Sequence, residues 1–174
     1  MRNEIYFDTY RSTFDGGARV THFFVKFNLP TITKFVDKHL MYYVKTADIP
    51  NVTIENHSIP HGIYEYKIPN NITANEWNVS LNVDRENRII EAFYHWQNVI
   101  TSCQYDPSYY MDDQRLYLVN NDGNVSSTYT IKHAWLKSIE ADSLDYQHQD
   151  SVLSIKLNFA YLYYTFEIGG TLNA

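Results

Sequence analysis

The chain has 174 residues, with 14 Lys or Arg against 20 Asp or Glu and a formal net charge of −6. At roughly 150 residues per domain this is one domain, and with 44% apolar and 16% aromatic residues it is no disordered chain. The acidic balance excludes wrapping nucleic acid by phosphate neutralisation, and the single cysteine, Cys103, excludes an intrachain disulfide or a Cys-based zinc site.

Residues 1–18 read as an N-terminal extension. The opening MRNEIYFD lacks the apolar stretch of a secretion leader, and no later run approaches the ~18 apolar residues of a membrane span. Alternation of apolar and polar residues, the mark of a half-buried strand, begins at residues 20–27 and returns at 40–45. Pro50, Pro60, Gly62 and Pro69 then surround the short apolar runs 52–54 and 63–66. Proline has no backbone donor, so this stretch belongs to an edge, an extended hairpin or an arm, taken as residues 47–69. Residues 76–83 alternate without fault: Trp77, Val79, Leu81 and Val83 are apolar, and every residue between them is polar.

Between Arg85 and Ser102 the period changes. Ile89, Phe93, Trp96 and Ile100 recur at spacings of four, three and four, one stripe of a helix packed on a sheet. Asp84 is its expected N-cap, and Glu86 and Glu91 sit near the favourable end of the dipole. A loop follows at 105–113. Asn120-Asn121-Asp122-Gly123-Asn124 separates two apolar runs and predicts a β-hairpin. In the next strand, Tyr129, Ile131, His133, Trp135, Lys137 and Ile139 are expected to line one side. The last strand runs from 153 to 166, with Leu153, Ile155, Leu157, Phe159, Tyr161 and Tyr163 on one face. From Ala160 onward both of its faces are apolar or aromatic, so it is expected to be packed on two sides. Together these elements predict a mainly β fold: a two-sheet β-sandwich or barrel with one α-helix (about residues 85–102) and an extended hairpin arm, in a single domain over residues 1–174. Trp77, Phe93, Trp96, Trp135, Leu157 and Phe159 are its expected core.

No constellation for catalysis emerges. Of the seven histidines, His57 and His61 are four apart, but Pro60 between them rules against a helical ligand pair. The others are scattered and read as surface or core histidines. Asp112 and Asp113 are adjacent, so on a strand they point apart and make a poor acid/base pair. The 120–124 segment resembles the start of a calcium loop without its closing glutamate. Gly16-Gly17 opens no helix and is no phosphate cradle, and Cys103 lacks the context of a nucleophile. No catalytic residue, cofactor or metal site is therefore expected. Acidic charge is concentrated instead: residues 106–150 hold eight acids against three bases. A solvated acidic surface accounts for that in a monomer.

Taken in order, the elements resemble the tail tube protein family of contractile-tailed bacteriophages, of the T-even type. The resemblance rests on the Ala47-Asp48-Ile49-Pro50 step, the prolonged hairpin after it and the strand with Trp77. It continues through Phe93-Tyr94-His95-Trp96-Gln97 in the helix, Ala134-Trp135-Leu136 in a later strand, Ser138-Ile139-Glu140 leading into Ser143-Leu144-Asp145, and the aromatic end of the last strand. It spans roughly residues 20–167. It implies a structural virion protein without catalytic activity, assembled in the host cytoplasm. Its hexameric rings would stack into a hollow tube inside a tail sheath, between baseplate and tail-terminator proteins, with phage DNA passing through the lumen and no membrane anchor. On this reading Ile49, Pro50, Val52, Ile54, Ile63 and Tyr64 of the arm are the expected contacts between subunits or rings. A negative lumen would keep the tube from gripping DNA phosphates. A baseplate tube-initiator, a type VI-like secreted tube subunit and, further off, a carbohydrate-binding β-sandwich stand as alternatives.

Overall fold

The computed structural model describes residues 21–29, 40–102, 106–142 and 152–169. The elements in chain order are β1 (Phe23–Lys26), a 3-10 turn (Leu40–Tyr43), β2 (Val44–Ala47), β3 (Val52–His61), β4 (Tyr64–Ala74) and β5 (Trp77–Asn82). Helix α1 (Arg88–Thr101), a second 3-10 turn (Pro107–Tyr109), β6 (Asp112–Val119), β7 (Val125–Ala141), β8 (Ser154–Ala160) and β9 (Tyr163–Ile168) complete the described set. Seven strands make one antiparallel sheet in the order β1-β6-β7-β8-β5-β2, with β9 also beside β7. β3 and β4 form a ribbon of their own. The fold is mainly β with two sheets and a helix, as the alternation predicts.

The long strand β7 belongs to two layers. Its first half pairs with β6 and β9, its second half with β8. The change falls at His133, which takes a left-handed backbone (φ 53) and is bulged against β6. Positive φ is uncommon for any residue but glycine, so local contacts are expected to support it. Asp113 supplies them: its carboxylate accepts from the His133 N–H (3.2 Å) and from Lys132 Nζ (2.5 Å). A second register shift lies between Leu136 and Ser138.

These irregularities overturn the expected face of β7. Ile131, Ala134 and Leu136 are its buried apolar residues, while His133 and Lys137 are exposed. Trp135 pairs with Ala160 on the outward side and is only half-buried, so it lies outside the core. The expected single strand over 153–166 is likewise divided. β8 and β9 follow one another along β7 with a break at Tyr161 and Leu162, opposite the bulge, bridged by Leu162 N–H to the Lys132 carbonyl (3.1 Å). Past the break Tyr163 is exposed rather than sharing the face of Phe159. The hairpin at 120–124 forms as expected, with Gly123 at φ +82.

The helix starts three residues later than its pattern suggests. Asn87, in a left-handed conformation, occupies the N-cap position without a side-chain cap. Asp84 reaches in from outside the helix, accepting from the Ile89 N–H (3.1 Å) and from Arg88 Nε (3.0 Å). The apolar stripe of α1 buries Ile89, Ala92, Phe93, Trp96 and Val99 and packs the helix against β7. Phe159 links the layers: its ring centroid is 5.4 Å from Trp77 on β5 and 5.7 Å from Trp96 on α1. Phe93 stacks on Trp96 at 6.3 Å and meets Phe27 edge-on at 5.8 Å. Such pairs add about 0.5–1.5 kcal/mol each beyond the area they bury. Trp77, Phe93, Trp96, Leu157 and Phe159 are all fully buried.

Two outcomes follow from this packing. Leu157→Ala should cost about 3 kcal/mol in urea unfolding, and Trp135→Ala less than half of that; equal losses would return Trp135 to the core. Asp113 supplies the second. Burial raises the pKa of its carboxyl, but Lys132 and the His133 N–H outweigh burial and leave it below the ordinary value. A depressed carboxylate stabilises fully above its unfolded pKa, and that stability is lost as pH falls through the folded one. The stability gap between wild type and Asp113→Asn should therefore be constant above about pH 4 and shrink below it. A gap that does not change with pH would mean the carboxylate charge does not hold the bend.

Candidate assembly interface

The ribbon of β3 and β4 is the outlying part of the described molecule. Its strands pair from Val52↔Ala74 to His61↔Tyr64, closed by the two residues Gly62 and Ile63. Gly62 has φ +63, the left-handed value a two-residue hairpin loop needs. The arm is longer than the sequence suggests, because β4 does not stop at Pro69 but runs on to Ala74. A register shift between Ile54 and Asn56 sets Glu55 opposite both Asn70 and Asn71 and so absorbs one extra residue in β4. At the other end Ala47 belongs to β2, not to the arm.

Cross-strand partners lie on one face, so the register sorts the arm's side chains. Near the root, Val52, Ile54, Ile72 and Ala74 share a face. Toward the tip, the opposite face carries Ile59, Tyr64, Tyr66 and Ile68, with His57 and His61 among them. Nearly all are exposed in the single chain: Ile63 is 91% accessible, Tyr64 75%, Ile72 70% and Tyr66 67%. Among the sequence-derived contacts, Ile49, Ile54, Ile63 and Tyr64 are exposed and Val52 is half-buried. Pro50 is buried within its own chain, so its place is in the root of the arm rather than on a neighbour. Ile59, Tyr66, Ile68 and Ile72 are exposed beside them without being among the expected contacts; the alternation Tyr64-Glu65-Tyr66-Lys67-Ile68 is the sequence signal for the middle two.

The root is tied to the body by main-chain groups. Asp48 donates its N–H to the Asn78 carbonyl (2.9 Å), and its own carbonyl accepts from Trp77 Nε1 (2.7 Å). Tyr161, at the break between β8 and β9, uses its hydroxyl twice on one residue. It donates to the Asn51 carbonyl (2.5 Å) and accepts from the Asn51 N–H (3.1 Å). Across the ribbon, Asn75 donates its N–H to the same Asn51 carbonyl (3.2 Å), and its side-chain amide bonds Asn51 and Thr53.

A second surface is the outward face of β5, β8 and the end of β7. Registered rows place Asn78, Ser80 and Asn82 beside Ser154, Lys156 and Asn158, and these beside Ser138 and Glu140. The charges here are paired within the chain: Lys156 with Glu140 (3.9 Å) and Lys137 with Glu76. Asn158 Nδ2 donates to Ser138 (2.7 Å) and Glu140 (2.8 Å). Of the acids concentrated in 106–150, Glu140 and Asp142 border this face. Asp112 and Asp113 belong to the β7 bend, Asp106 caps a 3-10 turn and Asp122 sits in the hairpin. Asp145 and Asp150 lie outside the described residues, as do Cys103, Gly16-Gly17 and residues 1–18.

The titratable groups that depart from their ordinary values are structural. Asp112 is pushed up by burial, with the Asp113 charge adding, while Asp113 is spent on the bend. Burial also raises the Tyr161 phenol, whose hydroxyl is committed to Asn51. Among the described residues no three His, Cys, Asp or Glu side chains gather, and no helix is long and apolar enough to cross a membrane.

The chain therefore has the anatomy of a β protein built to associate: a sandwich body, a projecting apolar ribbon and a polar sheet face. Residues 18–167 match the family model described as phage tail tube protein, and the chain belongs to that family. It is a structural tail tube protein. The fold is similar to that of the anti-feeding prophage cap, described as the AFP tube terminating cap, at 17% identity and a TM-score of 0.67, over 88% of this chain and 92% of that one. It is also similar to a chain of the sheath-tube complex of the extracellular contractile injection system PVC in its extended state, at 14% identity and a TM-score of 0.64, over 92% and 97%. A type six secretion system protein matches at 13% identity and a TM-score of 0.52, over 84% and 82%. No curated protein matches the chain in sequence.

Proposed function

We infer that copies of this chain close into hexameric rings and that the rings stack into the hollow tail tube of a phage. The tube stands inside a sheath, between baseplate and terminator, and conducts DNA into the host. The protein is a component of the virion tail, assembled in the host cytoplasm, and acts by its shape, without catalysis. The observation that carries this reading is the arm. A two-stranded hairpin is at best marginally stable alone, and among the described residues this one pairs with no strand of the body while holding Ile63, Tyr64, Tyr66 and Ile72 in water. Exposed apolar patches of this kind mark contact surfaces. Ten residues of β3 at about 3.3 Å each carry its tip about 33 Å from the root, far enough to lie across a neighbouring subunit. A contact between different patches on successive copies is heterologous, and such contacts build rings and open stacks.

The polar face of β5, β8 and β7 suits the lumen. Its neutral amides and hydroxyls and its internally paired lysines leave little for a passing phosphate to grip. The likeness to injection-system tubes favours a second reading, a tube that carries cargo other than nucleic acid.

Negative-stain microscopy of the purified chain over a concentration series, alone and with baseplates, should show hollow six-fold rings or tubes. Persistent monomers even with baseplates, or another symmetry, would end the tube reading. Nucleic acid inside filled particles separates the phage tail from the cargo tube. Tyr66→Ser combined with Ile68→Ser should leave the single chain's stability within about 0.5 kcal/mol yet abolish stacking. Glu140→Lys should slow DNA ejection from assembled particles; unchanged kinetics would move the lumen to another face.

A further inference from the structure

We propose that Tyr161 is a positioning residue for assembly, a lock that fixes the angle at which the arm leaves the body. This rests on the arm being the stacking element. Every other feature of the arm makes its direction hard to fix. Among the described strands it pairs only with itself beyond its root, and its apolar side chains are turned outward. A ribbon held only by its two chain crossings would swing, and each contact made at its tip would have to repay the ordering of that swing.

The root supplies the restraint. Tyr161 is buried, and its one hydroxyl both donates to and accepts from the backbone of Asn51, one residue before β3 begins. Two bonds to the N–H and C=O of a single residue fix the peptide planes on both of its sides, where one bond would leave a pivot. The neighbouring bond from Trp77 Nε1 to the Asp48 carbonyl holds the chain three residues earlier. Asn75 then ties the returning strand to the same Asn51 carbonyl. The restraint is therefore passed from the body, through Asn51, to both strands of the arm. Its position explains a residue that the β8–β9 break otherwise leaves without a purpose. Tyr161 lies where the chain leaves the regular ladder of β8; its ring stays in the core cluster with Phe159 while its hydroxyl reaches the arm root.

Tyr161→Phe keeps the ring and removes both bonds. Hydrogen exchange on the unassembled chain should show amides of Thr53, Ile54 and Thr73 opening about tenfold more often, as expected for the loss of two modest hydrogen bonds. Amides of Leu81 and Leu157 in the body should be unchanged. The concentration at which tubes appear should rise by about the same factor. Val79→Ala serves as the comparison: it weakens the core and speeds exchange throughout, but leaves the ratio of arm to body exchange as in wild type. Should Tyr161→Phe fail to fold, Asn75→Ala keeps the main-chain bond but removes the side-chain bonds to Asn51 and Thr53 from an exposed position, and should shift arm exchange in the same direction. Arm exchange that is unaltered in a folded Tyr161→Phe protein, or altered only in step with the body, overturns the lock. A wild-type chain that never forms tubes would instead refute the assembly reading, while the exchange experiment still decides whether Tyr161 holds the arm.

Discussion

The architecture depends on a carboxylate at a bend. β7 is the one described strand that serves both layers of the body, and it can do so only because His133 leaves the extended conformation. Without the bulge, residues 125–141 would continue one flat sheet and the two inner faces would never oppose each other. Asp113 bridges Lys132 and the His133 N–H, so the neighbouring strand β6 specifies where β7 turns. Phe159 and Trp96 then fill the space that the bend encloses.

The same bend prepares the surface. Opposite the bulge the partner chain cannot keep regular pairing, and β8 gives way to β9 across Tyr161 and Leu162. At that interruption the Tyr161 ring remains in the core while its hydroxyl meets the arm root. Core and interface are in this way mechanically related: the irregularity that folds the sheet over is the one that places the tyrosine beside Asn51. The polar face along β5 and β8 has the opposite character, since its rows stay in register and its charges are matched within the chain.

How much of this is legible in the sequence depends on what each residue answers to. Trp77, Val79 and Leu81 alternate in a strand whose whole length faces one core, so period-two reading places them correctly. The stripe Ile89, Phe93, Trp96 marks the helix for the same reason. Trp135 is misplaced because the bulges at His133 and Lys137 arise from pairing with β6 and β8, and nothing local announces them. Pro69-Asn70-Asn71 looks like the end of a strand, but cross-strand register carries β4 past it. The Asn51–Tyr161 bond joins residues 110 apart, and no local pattern encodes it. Order of elements was enough to suggest the family; the geometry of contact was not.

The arm also has to survive before it is covered. A long ribbon that meets no other described strand and exposes Ile and Tyr is a template for uncontrolled strand addition, the beginning of a fibril. This ribbon interrupts its own edges. Pro60 and Pro69 each remove a backbone donor, and the register shift between Ile54 and Asn56 adds an irregularity on the root side of both. Glu65 and Lys67 place opposite charges on the face behind Tyr64 and Tyr66. The residues that made the segment look unlike a strand thus act as gatekeepers, leaving side-chain docking open to the arm while closing the route to amyloid.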